Sequence, residues 1–243
     1  MEKNTGPVYS FQEVEKACDL IEIFFGRTYF KKGIEELKDS DPNGAGMGRE
    51  YGSNKASKLM LAWHRAKEEL AFSILEGYYR PGRYGSLIGS LGEDIKALQS
   101  VPGIKEAAAG LLDDSTFDST LLLLSLAAKM YKPGGNLFFP VKHASIFKLD
   151  NTIFLILSFY PENKEKNLAS FIKLSLEEIS NIINYDENAG SRLVVYIHHA
   201  GPDLTVPENE LNDIKASAAM LCKTEFLSGT SGVYRQITCT PLK

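Results

Sequence analysis

Arg80 and Arg83 lie in Tyr78-Tyr79-Arg80-Pro81-Gly82-Arg83-Tyr84, where aromatic and basic residues interleave. Aromatic faces stack on bases and guanidinium groups bind phosphates, so this is the chemistry of single-stranded nucleic-acid binding. The same pattern suits an inter-helix loop whose tyrosines cover a core while its arginines stay wet. Lys142-His143 offers a second pair of donors for nucleic acid or another anion, at the entry to an apolar run. His198-His199 ends another run. Adjacent side chains on a strand point to opposite faces, so this pair does not readily share one metal ion. One of the two could serve as a general base at a strand end. A strand terminus with one half-buried structural histidine is the favoured reading. Glu162 and Lys164 stand two apart as Glu-x-Lys, and Asp150 is the nearest acid upstream. Two carboxylates and a lysine could hold a divalent cation and polarise a water.

Other chemistries lack their residues. Cys18, Cys222 and Cys239 are widely separated, with no Cys-x-x-Cys, so no zinc site and no other metal ligand is expected. The glycine-rich stretch Asn43–Gly52 has no Gly-Lys-Ser/Thr and no preceding strand, which fails the phosphate-loop pattern. Neither Gly-x-Ser-x-Gly nor His-Glu-x-x-His occurs. No cofactor is implied.

Bulk properties narrow the setting. The 243 residues suit one large domain or two small ones, and 44% hydrophobic content is enough to bury a core without disulfide staples. A net charge of −4 argues against a surface coated in positive charge, though a local basic groove would still bind phosphate. Sparse, odd-numbered cysteines suit reduced thiols. Met1–Thr5 has no apolar signal core, and the longest apolar run, Ile153–Leu157, falls far short of a membrane span. These features lead us to expect a soluble, cytoplasmic protein with no membrane partner.

Periodicity supplies the elements that would hold these residues. Ser10 and Glu13 have capping-box spacing, and Val14, Ala17, Cys18, Ile21, Phe24 and Phe25 follow at helical intervals up to Gly26. A short helix over Tyr29–Leu37 follows, then a loop over Asp39–Ser53. Ser53 or Asn54 could cap the next helix, which runs to Glu76. Gly77–Gly85 breaks the pattern. Ile88–Leu98 and Ile104–Leu112 read as short helices, and Ser115–Lys132 as an apolar one. Asn136–Val141, Ala144–Leu149 and Thr152–Tyr160 read as strands, with Asp150-Asn151 as a two-residue hairpin turn. Lys164–Asn184 is amphipathic, and Arg192–His198 is a further strand. Pro207–Leu227 is expected to be helical, Ser228–Gly232 a turn, and Gly232–Cys239 a last strand. The fold class is therefore α+β, with a helical region over 1–113 and a mixed α/β domain over 114–243.

The order helix, strand, strand, strand, helix, strand over Ser115–His199 resembles the core of the PD-(D/E)xK nuclease superfamily, the restriction-endonuclease-like fold. Leu126-Ala127-Ala128-Lys129-Met130-Tyr131-Lys132-Pro133-Gly134-Gly135-Asn136-Leu137-Phe138-Phe139 is similar to the helix and turn that lead into its first strand. The resemblance covers about a third of the chain. It implies a divalent-metal site with one acid at the second strand, another on the third, and a lysine two residues later. Here Val141-Lys142-His143-Ala144-Ser145 enters the second strand and Ile153-Phe154-Leu155-Ile156-Leu157-Ser158-Phe159-Tyr160 forms the third. Neither offers a carboxylate, and the third offers no lysine. The resemblance therefore implies a pseudoenzyme, a degenerate nuclease-like binding or assembly protein, and favours a non-enzyme over an enzyme. One alternative is a metal-dependent nuclease with a displaced site of Asp150, Glu162 and Lys164. Another is a protein-interaction module with no nucleic-acid role. Nucleic acid, a protein partner and self-assembly all stay open.

Overall fold

The computed structural model describes residues 8–40, 56–131, 136–150, 152–159, 168–180, 192–199, 209, 212, 214, 223–230 and 233–237. The chain is α+β and divides into two compact units. The first comprises Met1–Ala97 with Leu112–Asp114, and the second Leu98–Leu111 with Ser115–Lys243. The segment Leu98–Leu111 thus belongs with the strands, whereas the sequence pattern groups it with the helices.

The first unit is built from α1 (Phe11–Phe25), α2 (Arg27–Ser40), α3 (Lys58–Glu76) and most of α4 (Arg83–Leu98). Ser10 and Glu13 close the expected capping box, the Glu13 amide donating to Ser10 Oγ at 3.4 Å and the Ser10 amide to Glu13 Oε2 at 2.7 Å. The Ser10 amide and then the Ser10 hydroxyl, both donating to the Glu13 carboxylate, favour its charged form and lower its pKa. The cap of α3 is Ser57, whose Oγ accepts from the Met60 amide at 3.2 Å. It displaces Ser53 and Asn54 from that role, and those two lie outside the described residues. Val14, Ala17, Cys18 and Ile21 on α1 are buried, as are Leu59, Ala62, Trp63 and Ala66 on α3. Trp63 Nε1 donates to the Cys18 carbonyl at 3.3 Å, and its ring tilts against Phe30 at 4.7 Å. Close helix packing depends on Gly92 of α4, where a Cβ would stand 2.4 Å from that of Ala17.

The second unit contains α5 (Ile104–Ala108), a 3-10 turn (Ala109–Leu112), α6 (Phe117–Met130), α7 (Leu168–Ser180) and strands β1 (Asn136–Val141), β2 (Ala144–Leu149), β3 (Thr152–Phe159), β4 (Arg192–His199), β5 (Lys223–Thr230) and β6 (Val233–Ile237). The strands form one sheet in the order β1-β2-β3-β4-β5-β6. The β1-β2 and β2-β3 pairs are antiparallel, β3-β4 and β4-β5 are parallel, and β5-β6 is antiparallel. The expected hairpin is present, with Leu149 opposite Thr152 across Asp150-Asn151. Asp150 takes φ 50°, the left-handed conformation that a tight hairpin turn requires. The connection through α7 returns the chain parallel to β3, as a helical crossover must.

The two faces of β3 are packed differently. Leu155 and Leu157 join Ala144, Ile146, Leu193, Val195 and Ile197 in a cluster with Ile172, Leu176 and Ile179 of α7. Phe154 and Ile156 alternate to the opposite face, on the side where α6 packs against β2 and β3. Paired on both edges and covered on both faces, β3 is the inner strand that its continuous apolar run implies. At the β1 edge, Phe139 donates its amide to the Pro102 carbonyl at 3.0 Å, and Pro140 has no amide to offer.

One expectation fails. The helical pattern over Pro207–Leu227 holds at residues 209, 212 and 214, but Lys223–Leu227 are strand, and β5 continues through Ser228–Thr230 where a turn is expected. Pairing with β4 on one side and β6 on the other satisfies this backbone, and that overrides a short helical periodicity.

Candidate functional site

The β2-β3 pair is the place where the sequence resemblance would put metal-binding carboxylates. Ala144 lies opposite Leu157, and Ser145 opposite Ile156. Ala144, Ser145 and Ile156 are fully buried, and Ser158 is 2% exposed. Ser158 donates its amide to the His143 carbonyl at 3.4 Å, which extends the ladder to the end of the hairpin. Ionising a carboxylate in this layer would require desolvating it, which costs several kcal/mol or more unless a partner charge is present.

The displaced set is only partly described. Asp150 is exposed at the hairpin tip. Glu162 and Lys164 lie outside the described residues. Asp150 precedes β3, and Glu162 follows it in sequence. The eight residues Thr152–Phe159 therefore separate the tip from the strand end by roughly 23 Å, at about 3.3 Å per residue. Among the described residues, no three of His, Cys, Asp and Glu stand together in a way that could hold a metal ion.

Lys142 and His143 form the two-residue turn between β1 and β2 and part company there. Lys142 is exposed. His143 turns onto α7, with Nε2 2.9 Å from Ser175 Oγ and 3.7 Å from Glu178 Oε2, and its ring rests 5.2 Å from Phe171. Ser175 Oγ donates to the Phe171 carbonyl at 2.8 Å, so it accepts from His143. That arrangement corresponds to the tautomer with its proton on Nε2. A base aimed at a nucleophile would need the reverse, and Ser175 is itself 1% exposed. This trio fastens the turn to the helix. His198 and His199 close β4 in register with Ser158 and Phe159.

The aromatic-basic loop joins α3 to α4 and is held by Glu69. Its carboxylate accepts from the amides of Gly82 at 3.0 Å, Tyr84 at 3.3 Å and Gly85 at 2.8 Å. Those are the orphan donors at the start of α4, so Glu69 caps that helix from the neighbouring one. A Cβ at Gly82 or Gly85 would collide with the carboxylate at 2.4 or 2.6 Å. Asp114 does the same for α3, accepting from the Lys58 amide at 2.6 Å. Both helix starts are thus occupied by the chain's own carboxylates rather than open to a phosphate. Tyr79 packs edge-on against Phe11 at 5.7 Å, and its hydroxyl is buried without a partner among the described residues. Burial first, then the Glu69 charge, push its phenol up to about 12. Arg80 and Arg83, the charged residues of this loop, are exposed.

Sequence reasoning missed Glu69 and Ser175. The capping role of Glu69 spans two helices, so no local spacing marks it. Ser175 reads as an ordinary polar position until its helix meets the β1-β2 turn. Comparison of the chain with protein-family models, with curated proteins and with solved structures finds no match.

Proposed function

We propose that the chain is a binding or assembly protein whose second unit is a degenerate, catalytically inactive relative of the PD-(D/E)xK nuclease core. The observation that carries this reading is the interior of the β2-β3 pair. Ala144, Ser145, Ile156 and Ser158, all at most 2% exposed, fill the positions where the chemistry would need acids and a lysine. The element order, the Asp150-Asn151 hairpin and the parallel return into β4 support the likeness. The displaced alternative must bring Glu162 and Lys164 back along the length of β3 to reach Asp150, a distance beyond shared coordination of one ion.

For a binding role, Arg80 and Arg83 are the first contacts for a phosphate backbone, with Lys142 second. His143, already bonded to α7, contributes least. The test is fluorescence anisotropy with labelled single-stranded DNA and RNA across a salt series. Phosphate binding weakens steeply as salt rises, and it falls when Arg80 and Arg83 are changed to alanine. A protein partner is the second reading. The end of α3 and the loop after it expose Phe72, Ile74, Leu75 and Tyr78, with Leu75 81% accessible. Contiguous exposed apolar residues of this kind mark interaction surfaces. Absence of any salt-sensitive nucleic-acid binding would move the weight to that reading.

A further inference from the structure

The α6-facing side of the sheet holds two buried hydroxyls, Ser145 Oγ and Ser158 Oγ, with no hydrogen-bond partner among the described residues. Both side chains are at least nine-tenths buried, at 0% and 2% exposure. The register brings them close. Ser145 lies opposite Ile156, and Ser158 is the next residue of β3 on that same face. They are therefore diagonal neighbours, with Cα atoms about 7–8 Å apart and side chains nearer. Ser145 also lies beside the irregularity in β1 between Phe138 and Val141, where the ladder is locally disrupted.

Two unpaired hydroxyls in one apolar layer are costly, and alanine would fit either position without that cost. Their surroundings limit what could satisfy both. Ile156, Phe147 and Phe154 occupy the same face, and Phe147 and Phe154 pack ring to ring at 6.2 Å. A charged guest would be stranded among such neighbours. A neutral guest that both donates and accepts would not. A single water with two hydrogen bonds of roughly 2.8 Å joins oxygens about 4.5–5.5 Å apart, the reach the bridge requires of these two side chains. We propose that Ser145 and Ser158 together form a binding site for a single internal water, which bridges β2 and β3 beneath α6. The site is independent of the nuclease-like reading, since it rests only on these hydroxyls and their register.

Urea unfolding of the whole chain tests it with Ser145→Ala, Ser158→Ala and the double variant. If the water bridges both, either single change removes one of its two anchors, weakens its hold on the other hydroxyl and lowers the midpoint. The double variant is then no worse than the weaker single. If no guest is present, each change leaves the midpoint unchanged or raises it, and the two effects add; that overturns the proposal. Should a variant fail to fold, a wild-type crystal structure at water-resolving resolution decides the matter. Density within about 3.2 Å of both oxygens supports the site, whereas dry side-chain contact or a direct serine-backbone bond overturns it. Manganese chloride is the control for a charged guest. A rise in melting temperature that disappears in the double variant would overturn the neutral assignment.

Discussion

Ile156 carries the largest single consequence at the residue scale. It is fully buried on an inner strand, so Ile156→Ala should leave a cavity and cost about 2–5 kcal/mol. Urea denaturation measures this, and a loss below about 0.5 kcal/mol, the range of surface substitutions, would contradict the packing described. Tyr79 should behave in the opposite way. Its hydroxyl is buried and unpaired, so Tyr79→Phe should be neutral or slightly stabilising, within about 0.5 kcal/mol. Its raised pKa also has a sign. The folded state keeps the phenol proton up to about pH 12, against an ordinary value near 10. The resulting stability is complete below pH 10 and is lost as pH rises through 12. Alkaline unfolding of wild type and Tyr79→Phe should show a shallower loss in the variant over that window. Identical slopes would mean that Tyr79 titrates normally.

Caps and latches act at the scale of elements. Glu69 satisfies the first turn of α4 from α3, so Glu69→Ala should cost about 1–2 kcal/mol and speed hydrogen exchange at the Gly82, Tyr84 and Gly85 amides. Unchanged exchange there would rule out the cap. Helix α1 and its capping box, the hairpin at Asp150-Asn151 and the parallel β4 were legible because each rests on local spacing or on a run of one period. Strand β5 was not. Thr224 and Phe226 are separated by a charged Glu225, and the upstream Leu211, Ile214, Ala218, Leu221 and Cys222 impose a helical period that masks the change. Only its neighbours β4 and β6 make that segment a strand. The candidate site divides along the same line. Missing carboxylates could be read from residue types alone. The burial of Ser145 and Ser158, and the capture of His143 by Ser175, depend on which face each strand and helix presents.

At the scale of the whole molecule, a helical unit and a sheet unit share one chain, with exposed cations in the first and a carboxylate-free strand pair in the second. Packing of β3 asks only for apolar side chains, while metal binding asks for charge. Asp150→Asn makes a clean probe of the one described acid near the hairpin, since asparagine tolerates the left-handed backbone that Asp150 adopts. On the proposed reading the chain hydrolyses neither DNA nor RNA. The most direct measurement incubates the purified chain with plasmid and single-stranded substrates in magnesium or manganese. Both substrates are expected to remain intact. Cleavage that disappears in Asp150→Asn or Glu162→Gln would contradict that reading and establish a working metal centre.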